Sequence, residues 1–182
     1  MIKKIERVCI YVDGSNWYNL LKRAKFSIPK DQKVDLNKLA DFLSSGRECV
    51  SKRYYVGIIR NVDGTAKSAE LVKGQQQFLQ KITDAGFVVK RGRIAYDKGV
   101  LREKGTDVKI AVDIVIGAVD DYYDTVILVS SDTDLIPALQ FARYKNKKIE
   151  YVGFANAPCF GLQKYADISI LLRQKDVDQI LA

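Results

Sequence analysis

Two short apolar runs that each end in acidic residues constrain this sequence more than any other feature. Residues 8–12 read VCIYV, and the chain continues as Asp-Gly-Ser-Asn at 13–16. Residues 125–130 read TVILVS, and the chain continues as Ser-Asp-Thr-Asp at 131–134. Runs of this length with β-branched residues are typical of strands buried on both faces of a parallel sheet. Each run is therefore predicted to be a central strand with acidic side chains at its carboxyl end.

The residues after each run are predicted to begin a helix. Ser15 and Asn16 are suitable caps for a helix over residues 17–25, and Asp134 is predicted to cap a helix with Pro137 in its first turn. Capping needs one carboxylate, and the second motif has two. Carboxylates at neighbouring strand ends repel each other unless a cation lies between them. We interpret the two motifs as a metal site, with a plain turn at Asp13-Gly14 as the alternative.

Strand and helix signals alternate along the rest of the chain. Strands are predicted over 50–60, 87–89, 149–154 and 168–172, a hairpin over 94–103 turning at 97–99, and helices over 35–43, 66–85, 108–119, 135–144 and 160–165. This order predicts an α/β fold with a mostly parallel central sheet and helices on both faces. No linker or repeat interrupts it, so we expect a single domain over 1–182.

Two of these helices carry specific expectations about burial. The helix over 108–119 is apolar almost all round and is predicted to be buried. In the helix over 66–85, the apolar side chains are expected to face the core, and the glutamine run is expected to face solvent. The apolar side consists of Leu71, Phe78, Leu79 and Ile82, and the run is Gln75-Gln76-Gln77.

Composition excludes several classes of chemistry. The sequence has no histidine, so Ser-His and Cys-His nucleophile pairs and imidazole-ligated metals are excluded. Any metal must be held by oxygen, which favours Mg²⁺ or Mn²⁺. The net charge of +8 around an acidic site suits a polyanionic substrate. The three cysteines, Cys9, Cys49 and Cys159, are scattered along the sequence, which favours a reducing cytoplasm. No apolar run is long enough to span a membrane, and no signal peptide is expected, which agrees with that location.

Four aspartates fall at strand ends or helix starts. They are Asp13, Asp107, Asp132 and Asp134. In a parallel sheet with right-handed crossovers these positions lie along one edge, where four carboxylates can hold one or two divalent cations for phosphodiester hydrolysis. Asn16 and Ser131 are expected to orient water, and Ser15 and Ser131 to position phosphate or water beside the helix N-termini.

Two acidic positions also have a structural interpretation. Asp107 follows Thr106, a suitable helix cap, and a carboxylate in the first turn is favoured by the helix dipole. Asp113 is four residues after Lys109 on the same helix, which allows an ion pair between them. Both interpretations stay open beside the catalytic one.

Four segments of the sequence form a recognisable set, namely IYVDGSN (10–16), KGTDVKIAVDIV (104–115), ILVSSDTDLIP (127–137) and LQKYAD (162–167). In these segments the sequence resembles the NYN-domain family of PIN-like ribonucleases, in particular its LabA-like bacterial and archaeal branch. The resemblance implies a three-layer PIN-like fold and RNA as the usual substrate. It also implies Mg²⁺ or Mn²⁺ held by acidic residues, here Asp13, Asp107, Asp132 and Asp134, with Asn16 beside them. Asp113 matches a further acidic position and is a second-tier ligand, whereas Ser131 stands where a glycine is common.

The expected function is therefore metal-dependent ribonuclease activity, with no organic cofactor and no membrane partner. The residues expected to contact RNA are Arg91, Arg93, Lys98, Arg102 and Lys104. A homodimer is one expected assembly. The main alternative is a PIN-like module that binds RNA or a protein without turnover. A second alternative, a sugar-nucleotide or phosphatase motif at Asp132-Thr133-Asp134, leaves Asp13 unexplained.

Overall fold

A computed structural model describes residues 5–59, 64–97 and 100–182, and within it the side chains of 94–97 and 100–103 are left undescribed. The strands are β1 (Arg7–Asp13), β2 (Glu48–Ile58), β3 (Val88–Asp97), β4 (Val100–Lys104), β5 (Thr125–Val129), β6 (Lys148–Phe154) and β7 (Ile168–Leu172). The helices are α1 (Gly14–Ala24), α2 (Leu36–Ser44), α3 (Ala66–Asp84), α4 (Thr106–Val119), α5 (Ile136–Tyr144), α6 (Phe160–Tyr165) and α7 (Gln174–Gln179). A 3₁₀ turn, Thr133–Leu135, precedes α5.

The strands form one sheet in the order β4-β3-β2-β1-β5-β6-β7. All neighbours pair in parallel except β3 and β4, which are antiparallel. The mostly parallel sheet predicted from the sequence is confirmed. The strand order reverses between β1 and β5, and in open α/β sheets the crevice at the carboxyl ends of such strands is where ligands bind. The two acidic motifs therefore end at the switch point of the sheet.

Helices cover both faces of the sheet, because the side chains of the central strands alternate between two apolar layers. In β1, Val8, Ile10 and Val12 pack into a core with α1, α2, α3 and α7. Cys9 and Tyr11 point to the other face, into a core with α4, α5 and α6. All five side chains are fully buried. This explains the uninterrupted apolar run and confirms the three-layer architecture.

The predicted strand at 87–89 and the predicted hairpin form one continuous unit. β3 runs without a break from Val88 to Asp97, so the basic residues Lys90, Arg91 and Arg93 lie inside the strand and pair with β2. β4 then returns antiparallel, with Asp97 opposite Val100. The predicted hairpin is thus present, and its turn at 98–99 lies outside the described residues.

The burial expected for α4 is wrong on one side. Ile110 and Ile114 are fully buried, but Val108, Val112 and Ile116 are exposed on the opposite side of the helix. The reason is that α4 forms an outer layer of the fold, so only one side of it can face the sheet. Within the part of the chain that the structure describes, no helix is long and apolar enough to cross a membrane.

Helix α3 also departs from its predicted pattern. Leu79 and Ile82 are buried as expected, whereas Leu71 and Phe78 are exposed. Gln75 is half-buried, and its amide binds the end of β2. The helix therefore packs through a narrower side than the apolar spacing suggests.

Candidate active site

Asp13 is the last residue of β1 and links that strand to α1. Its side chain is 6% exposed and caps the helix by accepting from the backbone N–H of Asn16 at 3.1 Å. The other carboxylate oxygen accepts from Asn16 Nδ2 at 2.9 Å and from Ser130 Oγ at 3.0 Å. The cap is Asp13, so the predicted capping by Ser15 or Asn16 is wrong. The helix starts earlier than expected, at Gly14.

Gly14 has a packing role in addition to its place at the turn. A Cβ atom there would lie 2.5 Å from Cε1 of Tyr54 and 2.7 Å from the backbone oxygen of Tyr55, both on β2. A residue with a side chain would therefore push α1 away from the sheet. Glycine at this position lets the N-terminus of α1 approach the end of β2 closely.

Two serines join the end of β5 to the end of β1. The fully buried hydroxyl of Ser130 donates to Asp13 and accepts from the backbone N–H of Asp132 at 3.1 Å. The Ser131 hydroxyl donates to Asn16 Oδ1 at 2.5 Å. Asn16 is thus held at both ends of its amide, by Asp13 and by Ser131. The two motifs are brought together at one point of the sheet edge.

Ser130 was not singled out in the sequence, although a signal for it exists. Val12 pairs with Val129 in the parallel register of β1 and β5, which puts position 13 beside position 130. A serine in the last place of a buried run, next to an aspartate in the neighbouring strand, is the kind of residue that bonds a buried carboxylate. Finding it requires knowing that these two strands are neighbours.

Asp132 and Asp134 lie on the 3₁₀ turn that follows β5. Asp132 caps this turn, and its Oδ1 accepts from the backbone N–H of Asp134 at 2.9 Å. The predicted capping by Asp134 is therefore wrong, because the turn intervenes before α5. Pro137 does lie in the first turn of α5, as predicted. The Asp134 side chain is exposed at the same edge.

Asp107 is exposed in the first turn of α4. This helix begins after Gly105, whose φ is +79° and which gives no side-chain cap. The predicted cap by Thr106 is wrong: Thr106 is buried, and a Cβ at Gly92 would lie 2.2 Å from its hydroxyl. Helix α4 also contacts the 3₁₀ turn that carries Asp134. Asp107 therefore lies on the helix layer opposite α1, in a helix that contacts the second acidic motif.

Asp113 is the centre of a separate, partly buried cluster. Its Oδ2 accepts from Tyr55 Oη at 2.8 Å and forms ion pairs with Arg53 at 2.9 Å and Lys90 at 3.4 Å. Burial, reinforced by the charge of Asp113, raises the pKa of Tyr55 far above its ordinary value, so the phenol stays protonated and donates. These partners lie on β2 and β3 and differ from the predicted Lys109. They favour a structural role for Asp113.

Four of the five basic residues predicted to contact RNA lie on β3 and β4. Arg91, Arg93 and Lys104 are exposed, and Arg93 is directly opposite Lys104 in the antiparallel pair. Lys98 lies outside the described residues, and so does the side chain of Arg102. Ser15, the remaining predicted position, is half-buried in the first turn of α1.

The donor types at the switch point suit a hard divalent cation, since they are carboxylate, amide and hydroxyl oxygens. In residues 5–59, 64–97 and 100–182, however, no three acidic or thiol side chains form a group that could hold a metal. Ser130 links two of these acidic residues by hydrogen bonds, because its hydroxyl bonds both the Asp13 carboxylate and the backbone N–H of Asp132. The residue types therefore suit such a cation, and the described acidic and thiol side chains do not form a complete set of ligands.

Comparisons with known proteins agree with this architecture. A solved protein of unknown function from Vibrio parahaemolyticus has a TM-score of 0.72 and 24% identity, over 100% of this chain and 99% of that chain. An uncharacterised protein from Methanocaldococcus jannaschii is 22% identical over 169 residues, which is 93% of this chain and 56% of the relative. The chain thus spans little more than half the length of that curated relative.

The family assignment rests on a match along most of the chain. Residues 7–172 match the model of the NYN domain. That span begins with β1, ends with β7 and includes both acidic strand ends. The chain belongs to the NYN domain family.

Proposed function

We propose that this chain hydrolyses RNA phosphodiester bonds as a Mg²⁺- or Mn²⁺-dependent ribonuclease, at the switch point between β1 and β5. NYN domains are generally ribonucleases, which makes RNA the substrate class to test first. The observation that supports the proposal most is the hydrogen-bonded junction of the two acidic strand ends. Ser130 links Asp13 to the backbone of Asp132, and Asn16 binds both Asp13 and Ser131.

The proposed metal ligands are the four aspartates Asp13, Asp107, Asp132 and Asp134, with Asp113 as a second-tier ligand. When bound, a divalent cation supplies activation of water as a nucleophile and neutralises charge that develops on the phosphate. The chain itself supplies orientation. The Asn16 amide, fixed by hydrogen bonds at both ends, is positioned to orient a water or phosphate oxygen. The N-terminus of α1, with Ser15, adds backbone N–H groups suited to an anion.

Several finer assignments accompany this proposal. We place the chain in the LabA-like branch because of the IYVDGSN, KGTDVKIAVDIV and ILVSSDTDLIP segments. We place it in the cytoplasm, as one domain, because its cysteines form no disulfide framework and no linker divides the sequence. The reaction requires no organic cofactor.

The hairpin cations are proposed to track the RNA backbone. Because phosphate contacts release counterions, RNA affinity is expected to fall steeply with salt. Charge reversal at Arg93 and Lys104 should weaken RNA binding. The slope of log affinity against log salt concentration should become shallower by about 0.7 for each lost phosphate contact. Binding titrations at several salt concentrations measure this, with Lys145→Glu, directly after α5, as the control. An unchanged slope in the hairpin variant would show that these residues form a solvated face.

A binding module without turnover is the second candidate function. It is favoured by one observation: the described acidic side chains bring no three carboxylates together. Such a module would bind RNA through the same basic hairpin but would gain little stability from a divalent cation. The response to metal therefore separates the two candidates.

Metal binding is expected to appear in the melting temperature. A ligand that binds only the folded state stabilises it, so Mn²⁺ at about 100 times its Kd should raise the melting temperature of the wild type by roughly 5 °C or more. Asp132→Asn should show a much smaller rise, and Asp41→Asn, which removes an exposed charge on α2, should respond like the wild type. Equal responses in all three proteins would remove Asp132 from the ligand set.

A further inference from the structure

A large apolar groove adjoins the acidic site. It lies between α1 and α3, has a volume of about 980 Å³ and begins at Gly14 and Ser15, directly after Asp13. Its floor is formed by Tyr54 and Val56 of β2. The volume is at the upper end of the range for ligand pockets, roughly 300 to 1,000 Å³. The groove is therefore lined by the first two residues of the helix that Asp13 caps, next to the place where we propose that the scissile phosphate binds.

Aromatic rings line this groove from the strand end outward. The Tyr54 ring packs against Gly14 and meets Phe78 edge-on, with ring centroids 5.9 Å apart. Phe78 is 45% exposed and Tyr18, on α1, is 58% exposed, and both line the groove. The exposed Phe78, which the apolar spacing assigned to the core, thus presents its ring to the groove. Exposed aromatic faces of this kind are suited to stacking with planar ligands.

The surroundings of the groove are mostly cationic. Lys33 and Lys67 line it, and Lys22 Nζ lies 4.1 Å from the centroid of the Tyr18 ring. Glu70 adds one acidic group. A groove with an aromatic interior and lysines at its margin matches the two parts of a nucleotide, which are a planar base and an anionic phosphate.

Gln75 holds the α3 side of the groove in place. Its Oε1 accepts from the backbone N–H of Ile59, and its Nε2 donates to the backbone oxygen of Gly57, both at 2.8 Å. These two bonds tie α3 to the end of β2, although Gln75 was predicted to face solvent. The opening between α1 and α3 is therefore held in place by the sheet.

We propose that the groove binds a base of the RNA strand next to the phosphate held at the acidic site, with the base packed against the rings of both Tyr18 and Phe78. The inference rests on the proposed function and adds a binding position to it. Base stacking on an aromatic ring is tolerant of sequence, so the groove would fix the position of the strand without selecting one base.

The test is a double-mutant cycle in which removal of an aromatic ring is combined with removal of one base of the RNA. The probes are a labelled single-stranded RNA of mixed sequence and a series in which each base in turn is replaced by an abasic ribose, all in Ca²⁺. Tyr18→Ala and Phe78→Ala are each expected to weaken binding of the intact RNA about tenfold. When the abasic ribose replaces the nucleotide whose base occupies the groove, the alanine variants should bind that RNA as tightly as the wild type binds it. Phe78→Tyr should bind the intact RNA like the wild type. Tyr144→Ala, which removes an exposed tyrosine at the end of α5 on the other face of the sheet, is the control.

The outcomes separate this inference from the proposed function. If the wild type binds and cleaves RNA but both alanine variants bind as tightly as the wild type, the groove does not hold a base and its occupant is a protein or another apolar ligand. If the wild type neither binds nor cleaves RNA, the proposed function fails and the groove inference fails with it. Melting temperatures of the variants show that the exposed rings were removed without unfolding.

A second surface carries an inference that is independent of catalysis. Val108, Val112, Ile116 and Val119 form a stripe along α4, opposite its buried side, and are 47% to 62% exposed. A helix that is apolar all round is normally buried, and contiguous apolar patches mark interaction sites. We therefore expect a partner to cover this stripe.

The charges beside the stripe point to the partner. Lys109 and Asp120 are both exposed and lie on the same flank of the stripe, at opposite ends. In an antiparallel pair of α4 helices related by a two-fold axis near residue 114, Lys109 of each copy faces Asp120 of the other, and Val112 faces Ile116. Such self-complementarity is the requirement for a two-fold interface. We infer that α4 pairs with α4 of a second copy to form a homodimer.

Sedimentation over a range of protein concentrations tests the dimer. The wild type is expected to dimerise and Ile116→Glu to remain monomeric, whereas Ile168→Glu, an exposed isoleucine on β7, should dimerise like the wild type. Lys109→Asp and Asp120→Lys should each weaken the dimer, and the double variant should restore it because the ion pairs are exchanged. A monomeric wild type, or an Ile116→Glu variant that dimerises normally, would overturn the inference.

Discussion

Asp13→Asn is expected to lower RNA cleavage by about two orders of magnitude or more while the fold is retained, because it removes an anionic ligand from the proposed metal site. The rate of cleavage of a labelled single-stranded RNA in Mn²⁺ measures the effect. Asp41→Asn removes the same charge from the exposed side of α2 and should cleave like the wild type.

The structure explains why the fold should survive this change. Asparagine is as good a helix cap as aspartate, so the bond to the backbone N–H of Asn16 can be kept. The Asn16 amide can turn over, so that its oxygen accepts from the new amide and its nitrogen donates to Ser131. The buried Ser130 hydroxyl loses the carboxylate oxygen to which it donates, so the free energy of unfolding should fall by about 1 to 3 kcal/mol, which leaves the protein folded. A folded Asp13→Asn variant with wild-type turnover would remove Asp13 from the mechanism.

Asp113→Asn is expected to have its main effect on stability. Asp113 is 15% exposed and faces Arg53 and Lys90, so loss of its charge leaves two cations in a partly buried place without their counterion. Removing one partner of a buried ion pair lowers the free energy of unfolding by roughly 3 to 5 kcal/mol. Because the pair is partly exposed here, the expected loss is about 2 kcal/mol. Urea unfolding measures it, with Asp41→Asn, which removes an exposed charge on α2, as the control.

Cleavage by this variant separates the two interpretations of Asp113. If Asp113 is structural, the folded variant should cleave RNA at close to the wild-type rate below its melting temperature. If it is a second-tier metal ligand, cleavage should fall together with the response to Mn²⁺. Loss of cleavage at unchanged unfolding free energy would contradict the structural role.

The sequence predicts the sheet and its switch point well, because both depend on local patterns. A run such as residues 8–12 can only be buried on both faces, and the acidic residues after it mark the end of the strand. The resulting mostly parallel sheet is confirmed. The helix caps at Asp13 and Asp132 were predicted less well, since a cap depends on where the strand stops pairing, and several neighbouring residues can serve equally.

The partners of long-range side chains could not be predicted from the sequence. Asp113 and Lys109 are four residues apart, which suggests a pair, but the helix turns Asp113 toward Arg53 and Tyr55 on β2. Phe78 has the spacing of a core residue, yet α3 stands away from α1 and leaves the ring in a groove. Apolar periodicity shows which side of a helix is hydrophobic, and only the packing of the elements decides how much of that side is covered.

The central claim is that the acidic switch point holds a divalent cation that supports RNA hydrolysis, and the most direct test is cleavage of a labelled single-stranded RNA with controlled metal. The account predicts cleavage in Mn²⁺ or Mg²⁺, none in EDTA, recovery when Mn²⁺ is added in excess, and binding with little cleavage in Ca²⁺. Asp132→Asn, purified in the same way, should show no comparable activity and so exclude a contaminating nuclease. Cleavage that persists in EDTA, or no cleavage of single-stranded or structured RNA with either metal, would contradict the account.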